Sequence, residues 1–215
     1  MKKPVSCVLC IIAGVIVGFV IAGVVYAATG FSLFKEEREK PIVSSKTGNT
    51  QLAEVALRVV GIIKDGDYEA LSLIAHPEFG VVFSPYATIT LSTNKCFQAE
   101  HIAAFDTDTK LYVWGVYTGS GEPIELTVAD YFAHFVFDRD YTAASVIGVN
   151  QIIRSGNALE NITDIFRGVR FVDFHIPGSD KDSAEDYDWS TLRLGFEEYE
   201  DNLWLTVILH SGWAE

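Results

Sequence analysis

The sequence predicts an α+β domain behind an N-terminal membrane anchor, and three observations predict it. Residues 5–28 form one uncharged apolar run. Apolar residues at helical spacing concentrate between residues 49 and 75, whereas the chain after residue 146 alternates at the strand period. Helices first and then a long strand meander is the order expected of N-terminal helices packed on a curved antiparallel sheet.

Composition narrows the function classes. The chain of 215 residues carries 16 Lys+Arg against 29 Asp+Glu, a net charge of −13. Apolar residues make up 49% and charged residues 21%, which excludes a disordered polyelectrolyte. The negative balance excludes nucleic-acid binding through a basic footprint. Three cysteines are too few for a disulfide-dense scaffold.

Residues 1–30 read as a signal anchor or transmembrane helix. The apolar run would span roughly 36 Å as a helix, against a hydrocarbon core of about 30 Å. Lys2 and Lys3 form a positive n-region. The run exceeds the ~7–15 residues of a cleaved signal core, which favours retention. Val25-Tyr26-Ala27 resembles a cleavage site and keeps secretion open as the alternative. Basic residues nearly tie across the span, so the n-region and the acidic bulk set the expected orientation: single-pass in the cell membrane, C-terminal domain extracytoplasmic. All acidic residues follow residue 30, so that part carries −15 and is repelled by anionic lipid. Gly14, Gly18 and Ala22 line one helix face, which suits a homo-oligomer through close helix approach or reflects only the frequency of Gly in membrane helices. Cys7 and Cys10 lie at or in the bilayer, and their spacing is read as incidental.

Residues 31–48 read as a juxtamembrane linker with Pro41, and residues 49–215 as one domain. Asn49 or Thr50 caps a helix carrying Leu52, Val55, Val59, Ile62 and Ile63, and Asp65-Gly66-Asp67 breaks it. Tyr68 to Ala75 makes a second short helix stopped by His76-Pro77. Ala99 to Phe105 forms a turn or two of helix. Residues 110–117 are apolar on both faces and are expected as a central covered strand. Thr127-Val128-Ala129-Asp130 opens a capped helix to about Phe137. Strands are expected over about 146–154, 168–176, 190–199 and 203–211, with Asp201-Asn202 as the last turn. That register sets Tyr199 opposite Trp204, Glu197 opposite Thr206 and Arg193 opposite His210. Leu192, Leu194 and Phe196 then share a face with Leu205, Val207 and Leu209.

Several words of sequence accompany this order: HPEFGVVFSPY (76–86), WGVYTGSGEPIELT (114–127), YFAHFVFDRDY (131–141), FVDFHIPG (171–178) and DWSTLRLGF (188–196). In them the chain resembles a family of exported or membrane-anchored bacterial domains of unknown function with a cystatin/NTF2-like fold. The resemblance covers about residues 50–215. It implies a fold and a compartment and carries no reaction. The chain departs from that family's usual pattern at Thr118, where Asp is commoner, and at Ser211-Gly212.

No decisive catalytic or metal motif stands out, and no cofactor is expected. Asp173 and His175 share a strand face, close enough for a carboxylate-oriented imidazole or for an ordinary polar pair. His134 lies four residues after Asp130, a surface spacing. His210 beside Arg193 suits an anion or a satisfied cross-strand contact. His76 reads as a helix stop, and His101 has no neighbouring pattern. Asp180, Asp182, Glu185, Asp186 and Asp188 lack the Gly and terminal Glu of an EF-hand loop. Gly119-Ser120-Gly121 is turn chemistry, and Cys96 has no base at a readable spacing. Asn161-Ile162-Thr163 fits a glycosylation sequon. A cone-shaped sheet over helices creates an aromatic cavity, and Tyr86, Trp114, Tyr131 and His175 are the expected ligand-binding residues.

Three functional readings follow. The first is a membrane-tethered, non-catalytic module binding a small molecule or peptide. The second is a scaffold in an envelope assembly. The third, ranked lowest, is a hydrolase or isomerase using an Asp–His pair.

Overall fold

Helix α1 (Asn49–Asp65) buries Leu52, Val55, Ala56, Val59, Val60 and Ile63, one stripe at helical spacing. Full burial of such a side chain contributes about 1.5–3 kcal/mol. Gly48 takes the N-cap position, one residue before the expected caps, and its amide donates to Gln51 Oε1 at 3.2 Å. Gly66 ends the helix in the left-handed region (φ 65°), where its amide donates to the Ile62 and Ile63 carbonyls. Asp67 then caps α2 (Tyr68–Ser72) by accepting from the Ala70 amide at 2.9 Å. The computed structural model describes residues 43–179 and 187–213. The expected anchor, the Gly14, Gly18 and Ala22 stripe, Cys7, Cys10 and most of the acidic loop (180–186) lie outside the described residues. Among those described, no helix is long and apolar enough to cross a membrane.

The architecture is α+β. The described residues hold nine strands, in chain order β1 (Val43–Ser44), β2 (Val81–Ser84), β3 (Lys95–Phe97), β4 (Tyr112–Val116), β5 (Pro123–Leu126), β6 (Val146–Val149), β7 (Arg170–Ile176), β8 (Ser190–Tyr199) and β9 (Asn202–Gly212). Short helices α3 (Ala99–Ile102), α4 (Val128–Tyr131) and α5 (Ile162–Ile165) interrupt them. Thr127 caps α4 by accepting from the Asp130 amide, and the helix runs on as a π-turn over Phe132–Val136. The main sheet runs β3-β2-β9-β8-β7-β6, with β1 also paired to β9. Val43–Ser44 falls in the stretch read as linker and pairs with Leu203 and Asn202.

The sheet is mixed, which corrects the expected all-antiparallel sheet. β2 runs parallel to β9, with Val82 opposite Val207 and Ser84 opposite Leu209. The contact begins upstream, where the His76 amide donates to the Leu205 carbonyl at 2.9 Å. Parallel neighbours need a long crossover, and here almost the whole domain lies between the two strands. Local alternation carries no trace of strand direction.

Strand β4 is not central either. It pairs with β5 in a separate two-stranded hairpin, burying Tyr112 and Trp114 on one side. Leu111, Val113 and Val116 stay 44–55% exposed on the other, so the apolar residues there do not mark a second covered face.

The β8–β9 turn is Glu200-Asp201, one residue earlier than expected. Both adopt left-handed backbone (φ 50° and 60°), the geometry that matches strand twist in a two-residue hairpin. Tyr199 therefore opposes Asn202, and Glu197 opposes Trp204. Between Phe196↔Leu205 and Gly195↔Val207 the register shifts, leaving Thr206 as an extra residue in β9. Beyond this bulge Arg193 opposes Leu209 rather than His210. One extra residue exchanges the faces. Leu205 and Ile208 join Leu192, Leu194 and Phe196 in the main core, while Val207 and Leu209 turn to a second core with Val82, Ile162, Val169 and Phe171.

Candidate functional site

The main core holds a dense aromatic cluster. Phe83 of β2 lies within 5.7–6.2 Å, ring to ring, of Phe97, Phe105, Trp114, Tyr131 and Phe132. Trp114 of β4 stacks on Tyr131 of α4, and its indole N–H donates to the Leu126 carbonyl at 2.9 Å. Both rings are fully buried. The Tyr131 hydroxyl is buried with no hydrogen-bond partner among the described residues. Burial, with Tyr86 nearby, holds that phenol well above its ordinary titration range.

Tyr86 carries the cluster to the surface. It is half-buried, its ring edge meets Phe135 at 6.1 Å, and its hydroxyl bonds to Thr118. Burial nevertheless keeps its phenol above the usual value. Tyr86 and Thr118 line a cleft of about 380 Å³. Its walls are the loop 85–94, the β4–β5 hairpin and the segment 157–159. Thr88, Thr90, Thr93, Asn94, Tyr117 and Asn157 supply hydroxyls and amides, and among the described residues no charged side chain lines it. The loop is pinned in place. Thr88 donates to the Leu159 carbonyl at 2.9 Å, Asn94 accepts from the Thr90 amide at 2.6 Å, and Ser84 donates to the Tyr86 carbonyl at 2.7 Å. Asn161 of the sequon exchanges two hydrogen bonds with the Ile89 backbone, so its amide already holds this loop from below.

Of the four expected ligand residues, the structure brings Tyr86, Trp114 and Tyr131 together on the helix side of the sheet. Only Tyr86 reaches the cleft wall; Trp114 and Tyr131 form its buried support. His175 lies on the opposite face, where its ring meets Trp189 at 5.7 Å and its Nδ1 sits 2.9 Å from Thr191 Oγ1.

That opposite face holds the polar group the sequence hinted at least. Arg193, fully buried, donates through Nε and Nη2 to both oxygens of Asp173 and through Nη1 to Glu160 at 2.5 Å. Asp173 also accepts from the Ile153 amide. Burial acts to lower the guanidinium's affinity for its proton, and the two carboxylates more than reverse that. Asp173 is thus committed to Arg193, and Arg193 is not an anion site beside His210.

His210 instead joins Ser190, Asp138 and Tyr141. Ser190 Oγ lies 2.9 Å from His210 Nε2, 2.9 Å from Asp138 Oδ2 and 2.5 Å from the Tyr141 hydroxyl. A Ser–His pair invites comparison with nucleophilic catalysis, but the orienting carboxylate is on the wrong nitrogen. Asp138 approaches Nε2 at 3.6 Å, and the buried Nδ1 has no partner among the described residues. Ser190 is 3% exposed and saturated with hydrogen bonds, which makes the group a structural knot joining β8, β9 and the chain after α4. Burial pushes the Asp138 carboxyl up, and the neighbouring His210 imidazole with hydrogen bonds from Tyr141 and Ser190 outweighs it to hold the group below its usual value. Chain separations of 49 and 20 residues hid this cluster from sequence patterns.

The remaining histidines each hold local hydrogen bonds. His76 Nδ1 accepts from the Glu78 and Phe79 amides at 3.2 and 3.1 Å, organising the turn into β2. His101 Nε2 meets Tyr112 and Asp108 at 2.9 and 3.1 Å. His134 Nδ1 bonds the Asp130 carbonyl at 2.7 Å rather than its carboxylate. Among the described residues no group of three or more His, Cys, Asp or Glu side chains could hold a metal ion. No protein-family model, curated protein or solved structure matches the chain.

Proposed function

We propose that the chain is a membrane-tethered extracytoplasmic binding module whose neutral cleft takes an uncharged ligand rich in hydroxyl or amide groups. The observation that carries this reading is the cleft lining: in a chain of net charge −13, no charged residue among those described faces it. Tyrosine and threonine present flat apolar surface beside hydrogen-bonding tips, the combination that holds a saccharide or a peptide backbone. The apolar run over residues 5–28 supports the tether, and the shared sequence words support the cystatin/NTF2-like reading of the domain. The Gly14, Gly18 and Ala22 stripe supports self-association of that tether, and an unchanged oligomeric state after Gly→Ile at positions 14 and 18 discards it.

The test is saturation-transfer NMR on the full-length chain with a panel of neutral mono- and disaccharides and end-capped dipeptides. At least one panel member receives saturation, and Tyr117→Ala and Thr118→Val each weaken it. Transfer to none of them, or transfer untouched by both substitutions, removes the cleft as the binding site.

A further inference from the structure

We propose that the opposite face of the sheet carries a second, independent pocket, built for a small organic cation with an apolar body. This pocket of about 370 Å³ shares no lining residue with the neutral cleft. Its walls are Phe79, Val82, Leu91, Cys96 and Phe166, and its polar groups are Glu197 and Thr206. Such a volume lies at the small-ligand end of the ~300–1,000 Å³ range of binding pockets.

Two features argue for a cation. Glu197 is half-buried, and no basic side chain pairs with it among the described residues. Burial pushes its carboxyl above the ordinary value, with a Thr206 hydrogen bond opposing. A carboxylate in apolar surroundings is costly unless a positive group meets it, and a bound cation would supply that group. Phe79 and Leu91 meanwhile stay 61% and 56% exposed at the rim. Their apolar surface matches a ligand body, and two phenyl rings on the wall, Phe79 and Phe166, suit a cation over a neutral head. Thr206 is the extra residue of the β9 bulge, and bulges re-aim side chains beside sites. Charge and apolar surface therefore converge on one ligand class.

Cys96 is an exposed thiol on the pocket wall, so its alkylation reports occupancy. The full-length chain is treated with N-ethylmaleimide, and modification of the Cys96 peptide is followed by mass spectrometry. The probes are hexyltrimethylammonium, hexanol and hexanesulfonate. Hexyltrimethylammonium is expected to slow Cys96 alkylation, with hexanol far weaker and hexanesulfonate inactive. Glu197→Gln is expected to weaken that protection about tenfold. Phe79→Ala, at an exposed position that leaves the core intact, weakens it as well. The proposal is overturned if the cation gives no protection, if hexanol or hexanesulfonate protects equally, or if Glu197→Gln and Phe79→Ala leave protection unchanged. Burial holds the Cys96 thiol up and it donates to the Phe79 carbonyl at 3.1 Å, so if it resists alkylation with no probe present, saturation-transfer NMR with the same three probes and variants decides on the same terms. None of these outcomes bears on the neutral cleft.

Discussion

The indole of Trp114 lies flat on the phenol ring of Tyr131, with ring centroids 3.8 Å apart and 8° between the planes. This contact locks the β4–β5 hairpin to α4, and both rings are sealed from water. Trp114→Ala is expected to cost about 3–5 kcal/mol, as large aromatic truncations in closed cores do. Trp114→Phe keeps part of the stack but orphans the Leu126 carbonyl, and should fall between the two. Chemical denaturation of the three proteins checks the order. A Trp114→Ala variant as stable as the parent would show that the stack does not hold the hairpin.

Arg193 sits between Asp173 and Glu160 with no exposure of its own. Arg193→Met leaves Asp173 buried without a counter-charge and is expected to destabilise the domain by about 3–5 kcal/mol. The double variant Arg193→Met/Asp173→Asn removes the uncompensated charge and should recover part of that loss. A denaturation midpoint in the double variant lower than in Arg193→Met would contradict this account of the triad.

His76 gives the domain a pH dependence. Burial, opposed by Glu78, holds its imidazole below the usual 6.5, and both amides it accepts from need Nδ1 unprotonated. The unfolded chain therefore takes up the proton first as pH falls. The stabilisation is complete above the unfolded value and is lost as pH drops through the folded one. Thermal melts should show a smaller drop between about pH 7.5 and about pH 5.5 for His76→Asn, whose side-chain oxygen accepts without titrating. An equal drop in both proteins would remove His76 as the cause.

Gly195 faces Val207 across the bulge, and a methyl group on it would meet Val207 Cγ1 at 2.5 Å. Gly195→Ala should destabilise by about 1–3 kcal/mol through overpacking. Adding Val207→Ala vacates that space, so the double variant should cost less than the two single changes combined. Strict additivity in denaturation would place the strain elsewhere.

Much of the order was legible in the chain. The spacing of Leu52, Val55, Val59 and Ile63 marks α1 and its buried face, Gly66 marks its end, and Thr127 marks the start of α4. These are local signals, since a helix is decided by residues three and four apart and by its caps. The long strands β7, β8 and β9 were also visible as runs of strand-forming residues. The register between β8 and β9 was not, because one extra residue at Thr206 exchanges faces without altering the alternation on either side.

Of the candidate site, Tyr86 could be read as an amphipathic ring on a covered segment. The chargeless cleft could not, because its lining comes from three loops that only the fold brings together. The same holds for Asp138, Ser190 and His210, and for Glu197 beside Leu91 and Phe79. The sequence by itself determined the apolar N-terminal run, the acidic balance, the α+β class and the extent of α1, all of which rest on neighbours along the chain; it overran α2 and α3 and did not show α5 (Ile162–Ile165). The tertiary structure decided that β2 lies parallel to β9, that β4 leaves the sheet, that His175 faces away from Tyr86, and which carboxylates meet Arg193. Those outcomes depend on contacts between segments far apart in the chain, and no local periodicity encodes their geometry.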